Sequence, residues 1–172
     1  MSVQNQGVLI VGVGNLLLGD EGLGIHVTRR LEAQDPHLPG NVQVLDAGTA
    51  LLDVLPQMAE CRYVFLIDAI RAGGKPGTVY RADGVDKIVE QIESAATLSL
   101  HELGLRQTLQ MARWLGLLPE RLSLIGAEPG PMEITPELSP PLVLAAARIV
   151  SLLLEELKRP APEKIPGPLG EG

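Results

Sequence analysis

Val8-Leu9-Ile10-Val11-Gly12-Val13-Gly14-Asn15-Leu16-Leu17-Leu18-Gly19-Asp20-Glu21-Gly22-Leu23-Gly24 is the stretch of this 172-residue chain that decides its fold. It opens on Val8-Leu9-Ile10-Val11, a short continuous apolar run. Such a run fits a strand covered on both faces, as in a parallel sheet. The reading is a strand over 7–13, a glycine-rich loop over 14–22 and a helix from about 23 to 34. In that helix Leu23, Val27 and Leu31 recur at spacing four, while His26, Arg29 and Arg30 fall elsewhere, which puts His26 on a solvated face.

The same alternation continues outward. A second strand is expected over 41–46 and ends on Asp46. Thr49 is placed to cap the following helix, which runs toward Glu60 and which Pro56 should kink or split. A third strand over 62–67 carries Asp68 at its carboxyl end. Gly73-Gly74-Lys75-Pro76-Gly77 reads as a turn before a short, more polar edge strand over 78–81. Helices follow over 85–93 and, after a loop at 94–100, from His101 to about Gly116. The last strand is 121–127. A Pro-rich loop over 128–137 leads to a final helix at 140–158, with Pro140 in its tolerated first turn. Four prolines between Pro160 and Pro168 mark a nonhelical tail. The expectation is one α/β domain over 1–158 with a tail over 159–172. Its architecture is three-layer α/β/α around a twisted, mostly parallel five-stranded sheet.

Composition agrees and excludes several functions. Hydrophobic residues are 45% of the chain and aromatics 2%, so the core must be aliphatic. A formal net charge of -7 disfavours nonspecific binding to nucleic acid or anionic membrane. The single cysteine, Cys61, cannot form an internal disulfide, and its place before an apolar run suits buried packing. The N-terminus has no basic region followed by an apolar stretch, and no apolar run could span a bilayer. Neither a signal peptide nor membrane insertion is expected, and the cytoplasm is the expected location.

In a doubly wound sheet the working groups collect outside the carboxyl ends of the strands. The glycine-rich loop there is not a dinucleotide site, because the third glycine of G-x-G-x-x-G would be Leu17. It lacks the Gly-Lys-Ser/Thr of a P-loop, and Asp20-Glu21 would repel phosphate and attract a cation. Helix capping accounts for Asp20. Glu21 is then the better candidate for a site ligand. Asp46 reads as a tight-turn residue beside Gly48-Thr49. Asp68 has the same ordinary explanation, bonding of loop amides, but its strand should be central. His37 sits in an exposed loop, whereas His101 stands at a loop–helix junction on the predicted rim. Glu21, Asp68 and His101 thus come from three loops on one rim. Two carboxylates and an imidazole suit a borderline divalent metal such as zinc or nickel, with a position left open for water or substrate. A metal there could polarise a carbonyl or activate water. Ser99 lacks the glycine elbow of a hydrolase nucleophile.

These residues also fall in a familiar order. Gly12-x-Gly14-Asn15-x4-Asp20-Glu21-Gly22-x-Gly24 resembles the opening of the hydrogenase maturation proteases. Asp46-Ala47-Gly48-Thr49, Asp68-Ala69, Ser99-Leu100-His101-Glu102, and Glu128-Pro129 with Leu138-Ser139-Pro140 resemble further blocks of that family in sequence order. Ala47 stands where a glycine is common. The resemblance covers about Val8 to Val150. It implies an endopeptidase that removes a short C-terminal extension from the large-subunit precursor of a nickel–iron hydrogenase after nickel insertion. It also implies that the precursor's nickel is the recognition signal, engaged through Glu21, Asp68 and His101. The expected cofactor is therefore nickel supplied by the precursor, with the site in the free enzyme empty or occupied by a surrogate divalent metal. Two other readings use the same residues: a nickel-dependent factor that binds the precursor without cutting it, and a generic metallo-hydrolase. A nucleotide-binding enzyme is disfavoured by Leu17 and the acidic loop.

Overall fold

A computed structural model describes residues 7–34, 38–93 and 100–159. Five strands form one sheet: β1 (Val8–Val13), β2 (Val42–Gly48), β3 (Tyr63–Ala69), β4 (Val79–Asp83) and β5 (Arg121–Ala127), in the order β2-β1-β3-β5-β4. All neighbours run parallel except β4, which pairs antiparallel with β5 at the edge. The continuous apolar runs are therefore the central strands β1, β3 and β5, and the more polar run is the edge, as their composition requires.

Alternate residues feed two aliphatic cores. Ile10, Phe65 and Ile67 pack with Leu23, Val27 and Leu31 of α1 (Leu23–Glu32) and with Leu142, Ala146 and Ile149 of α5 (Pro140–Lys158). Leu9, Val11, Val64 and Leu66 pack against α2 (Leu51–Ala59), α3 (Val85–Glu93) and α4 (Leu100–Leu115) on the other face. The three-layer α/β/α architecture expected of the sequence is the one observed. No described helix is long and apolar enough to cross a membrane.

Several local expectations change. β3 runs two residues beyond 67, because Asp68 and Ala69 find ladder partners in Gly126 and Ala127. Asp68 is thus a residue within the strand and does not stand just past its end. β2 likewise continues to Gly48. Helix α2 is unbroken through Pro56. The helical hydrogen bond that Pro56 cannot make is the one to the Leu52 carbonyl. Ala50 precedes that helix and no side chain caps it, so Thr49 is not its cap. The loop expected over 94–100 falls, but for Leu100, outside the described residues, as does the tail beyond Arg159 and His37.

Candidate functional site

The glycine-rich loop works by close approach. Gly14 has φ +139°, and a Cβ there would lie 1.9 Å from the Glu21 carbonyl oxygen. At Gly24 a Cβ would lie 2.3 Å from the carbonyl oxygens of both Val13 and Ile67. Only glycine lets the start of α1 settle onto the carboxyl ends of β1 and β3. Between them a short 3-10 turn, Gly19–Gly22, carries Asp20 and Glu21, both buried. The glycines thus sink two carboxylates into the rim and make no phosphate cradle.

The two acids then diverge. Asp20 does not cap its own helix. It reaches across 110 residues to accept Gly130 N–H at 2.8 Å, and across 119 to accept both the N–H and the hydroxyl of Ser139 at 2.8 Å. It ties the loop before α5 to the rim. Gly19 N–H, donating to the Thr135 carbonyl at 2.7 Å, reinforces that tie. His26 helps as well: its ring Nε2 lies 2.9 Å from the Pro136 carbonyl oxygen, so it is a half-buried fastener and not a solvated surface residue.

Glu21 has a different environment. It is only 6% exposed, yet it lines an apolar groove of about 690 Å³. Val13, Leu18, Leu51, Leu52, Leu105 and Met132 form most of the walls, and Glu21 is the ionisable side chain among the described lining residues. Arg71 Nη2 donates to Glu21 Oε1 at 3.1 Å. Asp68 is 1% exposed, on the strand end against which the Glu21 turn rests, and its Oδ1 accepts the Ala69 N–H at 2.8 Å. That donor is a residue of β3 itself, not one of the loop amides expected to bond a strand-end aspartate. Asp46 accepts the Gly48 N–H at 2.9 Å, in keeping with its turn reading.

Position 101 is the second residue of α4, and the His101 side chain lies outside the described residues. Among the described residues, no group of three His, Cys, Asp or Glu side chains could hold a metal ion. The described part of the rim supplies two carboxylates able to ligate a divalent cation that brings or finds further ligands, beside an arginine that cannot itself ligate one. Cys61 is buried far from this chemistry at the amino end of β3, and burial, aided by Glu60, raises its thiol above the ordinary value. It packs and does not attack, as expected.

Two rim residues were given no role from sequence: Glu128, noted there only within a family block, and Arg71. Glu128, buried at the end of β5, accepts Ala72 N–H, Gly74 N–H and the Tyr80 hydroxyl on one oxygen, at 2.8, 3.1 and 3.0 Å. It shapes the loop that carries Arg71. A carboxylate directly after a central strand was the available signal for Glu128. Nothing local marks Arg71.

A sequence model described as hydrogenase maturation protease matches residues 25–156. The chain is 33% identical over 162 residues to the hydrogenase 2 maturation protease of Escherichia coli K12, covering 92% of this chain and 95% of that one. It is 36% identical over 126 residues to the hydrogenase expression/formation protein HupD of Rhodobacter capsulatus, covering 73% of this chain. There it spans only 59% of the relative's length. Among solved structures, the hydrogenase maturating endopeptidase HybD from Escherichia coli superposes with a TM-score of 0.78 at 30% identity, covering 88% of this chain and 92% of that one.

Proposed function

This chain belongs to the hydrogenase maturation protease family, and from that premise we propose that it is a cytoplasmic endopeptidase. Its substrate is the large-subunit precursor of a nickel–iron hydrogenase, from which it removes a C-terminal extension once nickel has been inserted. The observation that carries this reading is Glu21, a buried carboxylate set into the wall of an apolar groove by glycines that permit no side chain. A surface acid would need no such arrangement. The groove offers an extended apolar segment a place to lie, and Glu21 offers that segment's metal an anionic ligand.

In the proposed complex Glu21, Asp68 and His101 take hold of the precursor's nickel. Helical periodicity supports including His101, because position 101 shares a face of α4 with Leu105 and Thr108, which line the groove. Anchoring the metal fixes the neighbouring peptide bond against the rim, so that attack of water on its carbonyl becomes an oriented reaction. Water supplies the hydroxyl to the new carboxylate and a proton to the departing amine.

Mass spectrometry of precursor incubated with the purified protein tests this. Loss of a C-terminal fragment from nickel-loaded precursor alone is expected. Cutting of both forms would retain the protease and remove nickel as the signal. Binding without cutting would favour the non-cleaving factor, and cleavage of small unrelated peptides would favour a general hydrolase.

A further inference from the structure

Arg71 occupies the acid that the proposed reaction needs. Its Nη2 lies 3.1 Å from Glu21 Oε1, with the guanidinium side chain 27% exposed. The backbone on either side of it is pinned. Ile70 N–H donates to the Ala127 carbonyl at 3.0 Å, and Ala72 N–H donates to the buried Glu128 at 2.8 Å. Glu128 also accepts Gly74 N–H, so the loop cannot easily carry Arg71 away from the rim. The arginine is delivered to Glu21 by a structured loop.

We propose that Arg71 is a specificity-determining residue that reserves Glu21 for metal presented by a protein and keeps free divalent cations out. A hydrated divalent cation entering alone meets a fixed positive charge and must break a charge-assisted hydrogen bond to reach the carboxylate. A metal ion already held by anionic side chains of a partner carries less net charge. It also brings apolar surface to the groove, and that burial offsets displacement of the guanidinium. Glu21 is thereby silent toward the free ion and responsive to the loaded precursor. This inference rests on the reading of Glu21 as a metal-engaging residue.

The test is calorimetric titration of nickel chloride alone into the full chain at neutral pH. Parent, Arg71→Met, Arg71→Lys and the double variant Arg71→Met/Glu21→Gln are compared, with circular dichroism confirming that each is folded. Arg71→Met should bind nickel about tenfold more tightly than the parent, a factor worth about 1.4 kcal/mol. Arg71→Lys, which keeps the charge, should stay near the parent, and the double variant should lose the gain. A role for Arg71 in folding alone would not produce this charge-dependent pattern. Equal, weaker or unmeasurable binding by Arg71→Met overturns the inference, as does a gain that survives loss of Glu21. If the pattern holds but the parent fails to cut loaded precursor, the protease reading falls and cation exclusion stands.

Discussion

The two ends of the sheet treat acidic side chains differently. At the amino end, Asp83 of the edge strand is exposed, accepts the Ser123 hydroxyl and pairs with Arg81, whose guanidinium also reaches Glu156 and the Tyr63 hydroxyl. Charges there form a network shared among Asp83, Arg81 and Glu156 that is open to water, so each pair contributes little. At the carboxyl end, Asp20, Glu21, Asp68 and Glu128 are all buried. Asp20 and Glu128 are saturated mainly by backbone N–H groups and fasten loops, whereas Glu21 meets an arginine at the edge of a groove. Asp20 and Glu128 thus fix loops, and under the proposed function Glu21 is the acid that performs chemistry.

The largest effect should come from the acids assigned to chemistry. Glu21→Gln, Asp68→Asn and His101→Gln should each lower the precursor-processing rate by about a hundredfold or more, with far-UV circular dichroism unchanged. Parental rates in all three would remove the contrast between holding and acting acids. Next comes the device that sinks Glu21. Gly24→Val should destabilise the fold by about 1–3 kcal/mol or more in urea titration, because its side chain would collide with the carbonyls of Val13 and Ile67. An unchanged midpoint would mean that α1 does not need this close approach. Glu128→Ala should cost about 1–3 kcal/mol by leaving Ala72 and Gly74 N–H groups without their acceptor.

The smallest effect belongs to the amino end. Burial raises the Asp83 carboxyl, but the Ser123 hydroxyl and the Arg81 guanidinium outweigh it and hold the group below its ordinary value. Its stabilisation is therefore present above the unfolded carboxylate value, about 3.9, and is lost as pH falls through the folded one. Asp83→Asn should change stability at neutral pH by less than about 1 kcal/mol, and should flatten the decline of stability with acid below about pH 4. A change at neutral pH as large as that of Glu128→Ala would show the two ends to be alike.

The contrast was partly legible in the sequence. Strand order aside, the layers followed from apolar runs alternating with helical periodicity. Glu21 and Asp68 could be placed on one rim because strand ends of a parallel sheet converge. What escaped was every pairing that depends on distant backbone. Asp20 reads as a helix cap because its true partners stand more than a hundred residues away. His26 reads as solvated because helical spacing cannot see Pro136. Arg71 lies only three residues beyond Asp68, yet its engagement with Glu21 depends on a loop shaped by Glu128. Pro56 signalled a break, yet α2 runs through it.

Adjacent in sequence, Asp20 and Glu21 carry the central claim, that one holds and the other acts. Single-turnover processing of nickel-loaded precursor by Asp20→Asn and Glu21→Gln, at a temperature where both are folded, tests it most directly. Asp20→Asn should process within a few-fold of the parent, and Glu21→Gln should be slower by about a hundredfold or more. Near-parental processing by Glu21→Gln, with Asp20→Asn inactive though folded, would reverse the assignment and contradict the account.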